Sequence, residues 1–136
     1  MHARHILTIL AVENVARARG LYDAAFGWPT DVDLPVYVEY VLPGDQRIGL
    51  YARQGFARNT GVAPVATPPG AIAPTELYLR VGDLPEAAMR LTAAGARLLR
   101  AASGAQAALG IAAGGVLVLA GVARLRPAGA FRLLPE

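Results

Sequence analysis

The stretch Thr75-Glu76-Leu77-Tyr78-Leu79-Arg80-Val81-Gly82-Asp83-Leu84 decides the fold. It alternates strictly: Leu77, Leu79 and Val81 fall on one face, Glu76, Tyr78 and Arg80 on the other. Period two with aromatic and β-branched content predicts a strand with one face against a core. The second face carries a carboxylate, a phenol and a guanidinium in a row. It is either an ordinary solvated face or the wall of a water-accessible cavity.

The same pattern occurs earlier in the chain. Ile9 to Val15 is followed by Ala18, Tyr22, Ala25 and Gly27, just as Leu79 to Leu84 is followed by Ala87, Leu91, Ala94 and Gly95. Setting Val12 on Val81 puts Asn14 on Asp83, Val15 on Leu84 and Tyr22 on Leu91. Each copy reads as a strand, a capping residue, an amphipathic helix and a glycine stop. Self-similarity over this length means two copies of one supersecondary unit.

Composition narrows the chemistry. The 136 residues suffice for one compact domain. There is no cysteine, which excludes disulfides, thiol nucleophiles and Cys-ligated metals. All 13 basic residues are arginine, which excludes Schiff-base lysine chemistry. Net charge is +3 with the arginines scattered, so no nucleic-acid-binding stripe is expected. The uncharged span 101–123 is long enough to cross a bilayer. It holds Ser103, Gln106 and five glycines, however, and is read as two strands and a turn, with no membrane association. Met1 to Arg4 does not resemble a signal peptide, and the expected location is the cytoplasm.

Taken in order, Arg4 to Val12 is a predicted strand. Asn14 caps a helix that Gly27 ends. Trp28-Pro29 forces an extended exit. Leu34 to Leu42 and Gln46 to Tyr51 are predicted strands about a Pro43-Gly44-Asp45 turn. Residues 54–70 read as an irregular, proline-bearing tether. Asp83 and Glu86 form a capping box for the second helix. Ala96 to Arg100 is a short strand, and Gln106 to Ile111 with Val116 to Ala120 a hairpin about Gly114-Gly115. The expected order is βαβββ, linker, βαβββ: an α+β domain over residues 1–123. Module one spans 4–53, the linker 54–74 and module two 75–121, with a tail at 124–136.

This arrangement resembles the vicinal oxygen chelate superfamily, which includes glyoxalase I, extradiol dioxygenases and the fosfomycin- and bleomycin-resistance proteins. The residues that carry the resemblance are Leu10-Ala11-Val12-Glu13-Asn14-Val15 with Tyr22 and Phe26-Gly27, then Leu79 to Leu84 with Ala93-Ala94-Gly95, and the closing Gly114-Gly115-Val116-Leu117-Val118-Leu119. The resemblance implies two modules pairing into a cupped sheet, the glyoxalase/bleomycin-resistance fold, and a homodimer. It also implies a metal held by His, Glu, His and Glu at four strand positions. Here those positions fall on Leu7, Gly49, Glu76 and Val118. Three of the four offer no side-chain donor. His5, one pleat from Leu7, would complete only a poor pair with Glu76. No metal and no other cofactor is expected.

Alternation identifies what lines the cup instead: His5, Leu7, Arg47, Tyr51, Glu76, Tyr78, Arg80 and Val118, with Trp28, Tyr37, Glu39 and Phe56 from edges and linker. Apolar walls with sparse polar groups suit a small organic ligand. The first expectation is a metal-free protein that sequesters such a molecule, as bleomycin-resistance relatives do with a drug. The alternative is a metal-independent isomerase- or lyase-type enzyme. In it Glu76 is the general base, and Arg80 or Tyr78 stabilises an enolate-like charge. A metal-dependent lyase or dioxygenase ranks last because the ligands are missing. With both histidines before residue 6, no Ser/His/Asp arrangement is readable.

Overall fold

The structure, a computed structural model, describes the backbone of residues 1–69, 71, 73–75, 77–98, 107–113 and 116–122. It describes side chains up to residue 97 other than those at 78, 80 and 84. The first strand, β1 (Leu7–Val12), starts three residues later than its alternation suggests. Asn14 then caps α1 (Val15–Phe26), its side chain accepting a bond from the Arg17 backbone N–H. This satisfies one of the orphan donors of the first turn. Gly27 ends the helix at φ +61°, a left-handed conformation that favours glycine. Val15, Ala18, Leu21, Tyr22 and Ala25 are buried, which is the face the spacing predicts with Leu21 added.

The run expected as one strand, Leu34 to Leu42, is two. They are β2 (Thr30–Leu34) and β3 (Tyr37–Leu42), folded about Pro35-Val36 with Leu34 opposite Tyr37. Pro35 has no N–H for a ladder, so the chain turns there. β4 (Gln46–Ala52) returns alongside β3 and pairs in parallel with β1, giving the order β1-β4-β3-β2. The tether is also partly ordered, for α2 (Arg53–Thr60) occupies its first turns, ahead of the first proline.

Module two repeats the plan. β5 (Leu77–Arg80) leads to α3 (Leu84–Ala93), whose N-cap Asp83 accepts from the Glu86 N–H. The Glu86 carboxylate lies 2.8 Å from Arg90, so the reciprocal half of the expected capping box is replaced by an i,i+4 ion pair. β6 (Arg97–Leu98), β7 (Ala107–Ala113) and β8 (Val116–Val122) complete a sheet of order β5-β8-β7-β6. The span 101–123 thus supplies two strands, as expected. Gly114-Gly115, Leu99-Arg100 and the 124–136 tail lie outside the described residues. Among the described residues no helix is long and apolar enough to cross a membrane.

One core serves both modules. Leu10 and Val12 from β1, Val38 and Tyr40 from β3, and Ile48 and Leu50 from β4 bury against α1. Leu91 of α3, 1% exposed, joins the same cluster, with Leu77 and Leu79 packed on its margin. Contacts between the modules run through α1 and α3.

Candidate functional site

Because Leu10, Val38, Ile48 and Leu50 face the helix, the pleat puts Leu7, Ile9, Ala11, Tyr37, Glu39, Arg47, Gly49 and Tyr51 on the opposite face of module one. This face, turned away from α1, holds the candidate site. Its backbone register sets Gly49 between Ile9 on β1 and Glu39 on β3. Gly49 has no side chain, and the Tyr37 ring fills the space above it. A Cβ built at 49 would lie 2.7 Å from the Tyr37 ring edge and hydroxyl. The Tyr37 hydroxyl donates to Glu39 Oε2. Arg47 Nη1 donates to Glu39 Oε1 at 2.6 Å and also to Asp31 Oδ2. Glu39 is only 8% exposed, and these bonds compensate the burial of its carboxylate.

Electrostatics follow from the packing. Burial, then the bond to Glu39, hold the Tyr37 hydroxyl well above its ordinary pKa, so it stays a donor. The bonds to Glu39 and Asp31 push Arg47 further toward its charged form. Tyr51 meets Tyr37 edge-on at 5.2 Å between centroids. Its other side is closed by α2, where a Cβ at Gly55 would collide with the Tyr51 ring. α2 thus rests on β4 and β1 at that end of the face.

Of the residues expected at the site, Leu7, Tyr37, Glu39, Arg47 and Tyr51 come together here. Phe56 is half-buried on α2, the helix over Tyr51. Two expectations are corrected. Trp28 stacks on Phe26 at 4.2 Å and packs near Tyr22 and Tyr40, against the core on the helix side. His5 precedes β1 and is exposed, its ring bonded to the Thr8 hydroxyl at 3.0 Å. Glu76 lies outside the described residues, as do the side chains of Tyr78, Arg80 and Val118. The backbone register of β5 and β8 is described. Val118 pairs with Leu77 and Leu119 with Tyr78.

Sequence reasoning missed Asp31. It sits where the β2–β3 register shifts, and such a bulge re-aims a side chain. The alternation of Thr30-Asp31-Val32-Asp33-Leu34 was the available signal. On the opposite side of β2, Asp33 pairs with Arg19 at 2.5 Å. Arg19 also bonds Asp23, which accepts the Tyr40 hydroxyl at 2.6 Å.

These residues do not fit the metal that the resemblance implies. Leu7, Gly49 and Val118 bring no donor atoms, and the Tyr37 ring takes the volume a ligand at 49 would need. Among the described residues no group of three or more His, Cys, Asp or Glu is placed to hold an ion.

No protein-family model and no curated protein sequence matches the chain. Solved structures do. A glyoxalase-related enzyme from Fulvimarina pelagi is similar at TM-score 0.79 and 22% identity, covering 95% of this chain and 94% of its own. Lactoylglutathione lyase from Agrobacterium tumefaciens aligns at TM-score 0.66 and 18% identity, over 89% and 94%. A fosfomycin resistance protein from Mesorhizobium loti aligns at 0.62 and 11%, over 91% and 93%. At these identities the likeness shows the fold.

Proposed function

We propose, from the glyoxalase/bleomycin-resistance fold of this chain, that it is a metal-independent protein that binds a small organic molecule on the sheet face of module one turned away from α1. One observation carries this reading. The place of a metal ligand is taken by a tyrosine ring, and the adjacent carboxylate, Glu39, is already bonded to Tyr37 and Arg47. What remains is an aliphatic and aromatic wall with a fixed polar centre, which is the character of an organic-ligand site. Within one chain the modules meet through α1 and α3. In this reading the facing wall therefore comes from module two of a second copy, in a homodimer. The competing enzyme reading depends on Glu76 as base, and no observation favours it.

Native mass spectrometry with metal analysis on the same sample, followed by thermal-shift screening of organic compounds, tests the proposal. The expected result is a dimer without stoichiometric metal, a melting temperature indifferent to chelator, and stabilisation by aromatic compounds. A ligand at a hundred times its dissociation constant adds about 2.7 kcal/mol. One divalent ion per protomer, removable with loss of stability, would overturn it.

A further inference from the structure

A cleft of about 490 Å³ lies between α1 and α3, outside the site on β1, β3 and β4. Ala25 and Phe26 enter it from the last turn of α1. Val81 and Gly82, between β5 and α3, and Ala87 on α3 enter it from the other side. It thus straddles the junction of the two modules. Its floor is apolar: Ala25 is buried, while Phe26, Val81 and Ala87 are half-buried and keep part of their surface open. The charged groups beside it are matched. Asp83 accepts the Glu86 N–H, and the Glu86 carboxylate is 2.8 Å from Arg90. The floor is therefore the part that gains from being covered.

The chain brings its own end to this place. β5 and β8 run parallel, with Arg80 beside Gly121. β8 ends at the next residue, Val122, so its backbone stops alongside Val81, which lines the cleft. The segment that continues from there, 123–136, carries Leu125, Phe131, Leu133 and Leu134, with Arg124, Arg126 and Arg132 between them. At ~3.3 Å per residue Phe131 reaches up to about 30 Å from Val122, well beyond the span between two packed helices. We propose that the cleft is the seat of this C-terminal segment, with Leu125 and Phe131 covering Phe26, Val81 and Ala87. Seated there, the segment touches both modules and clasps α1 to α3. Its tether at Val122 gives it an effective concentration at the cleft that a second copy lacks. The arginine stems lie along the rim with their heads in water. A chain end is ordered where something ties it down, and apolar side chains on both partners supply the tie.

The chain has no cysteine, so Ala128→Cys gives the full-length protein a single attachment point for a nitroxide. The amide resonances of Ala25, Gly82 and Ala87 are expected to lose intensity severalfold against the reduced label, far more than those of α2. Leu125→Ser with Phe131→Ser in the labelled chain should restore them. Unshifted resonances from β1, β3 and β4 show that the double variant still folds. Without the label, the same double substitution should lower the melting temperature by a few degrees. No broadening at the cleft, or broadening that survives the double substitution, overturns the proposal. Unchanged melting overturns the clasp. A mixture of isotope-labelled protein without nitroxide and nitroxide-bearing copies without isotope separates the sources. Broadening at the cleft in that mixture would place a second copy's segment there and overturn the proposal as well.

Discussion

At Gly49 one missing side chain organises its neighbours. The Tyr37 ring lies where a Cβ would be, and that position lets its hydroxyl reach Glu39. Gly49→Ala therefore pushes the ring aside and costs the bond as well. A destabilisation of about 1–3 kcal/mol is expected from urea melts. In a Tyr37→Ala background the same substitution should cost little, and a double-mutant cycle measures the difference. An unchanged cost would mean that Tyr37 does not occupy the space. Alternation along β4 was enough to place Arg47 and Tyr51 on one face, with Tyr37 and Glu39 expected beside them from an edge. It could not show that Glu39 has its oxygens filled by Tyr37 and Arg47, because those bonds cross strands. Trp28 was misplaced for a related reason. An aromatic after a helix stop fits a core or a cup equally well, and only packing against Tyr22, Phe26 and Tyr40 decides.

Among the elements, the two helices with side-chain caps were legible and the one without was not. Asn14 and Asp83 each accept a first-turn N–H, and their spacing to the apolar stripe announces a helix start. Asn14→Ala should cost about 1 kcal/mol and lower the melting temperature by a few degrees, whereas Asn14→Asp should leave it nearly unchanged. Hydrogen exchange confined to the first turn of α1 would locate the loss. α2 has Ala52 at its start, no side-chain cap and a central glycine, all of which argue against a helix. Contact supplies the stability that propensity lacks. Gly55 is buried against Tyr51, and the helix rests on β4 and β1. β2 was hidden by its two aspartates, which are depleted in strands. Each is matched from another element, Asp31 by Arg47 and Asp33 by Arg19.

For the whole molecule, the common core and its buried phenols set the response to alkali. Burial is the first cause that raises Tyr22, Tyr37 and Tyr40 above their ordinary value. Bonds to Glu39 and Asp23 add to it for Tyr37 and Tyr40. In the unfolded chain these phenols ionise near pH ~10, while in the folded chain they stay protonated to higher pH. The stability they confer is therefore complete below pH ~10 and is lost as pH rises through the folded values. Unfolding free energy should fall as pH rises above about 10, and Tyr40→Phe should flatten that slope. A wild-type slope that matches the variant's would contradict the assignment. Loss of the Tyr40–Asp23 bond should also lower the stability of Tyr40→Phe at neutral pH by about 1 kcal/mol.

Local pattern carried the duplicated βαβββ plan, the helix caps, and which residues of β1 and β4 share a face. These follow from local periodicity and backbone chemistry that each segment carries alone. Tertiary structure decided the rest. It split Leu34–Leu42 at Pro35, docked α2, turned Trp28 into the core and brought Asp31 to Arg47 and Glu39. It also set position 119 beside Tyr78. Such outcomes depend on which strands lie side by side and in what register, and on charges that pair only once the chain has closed.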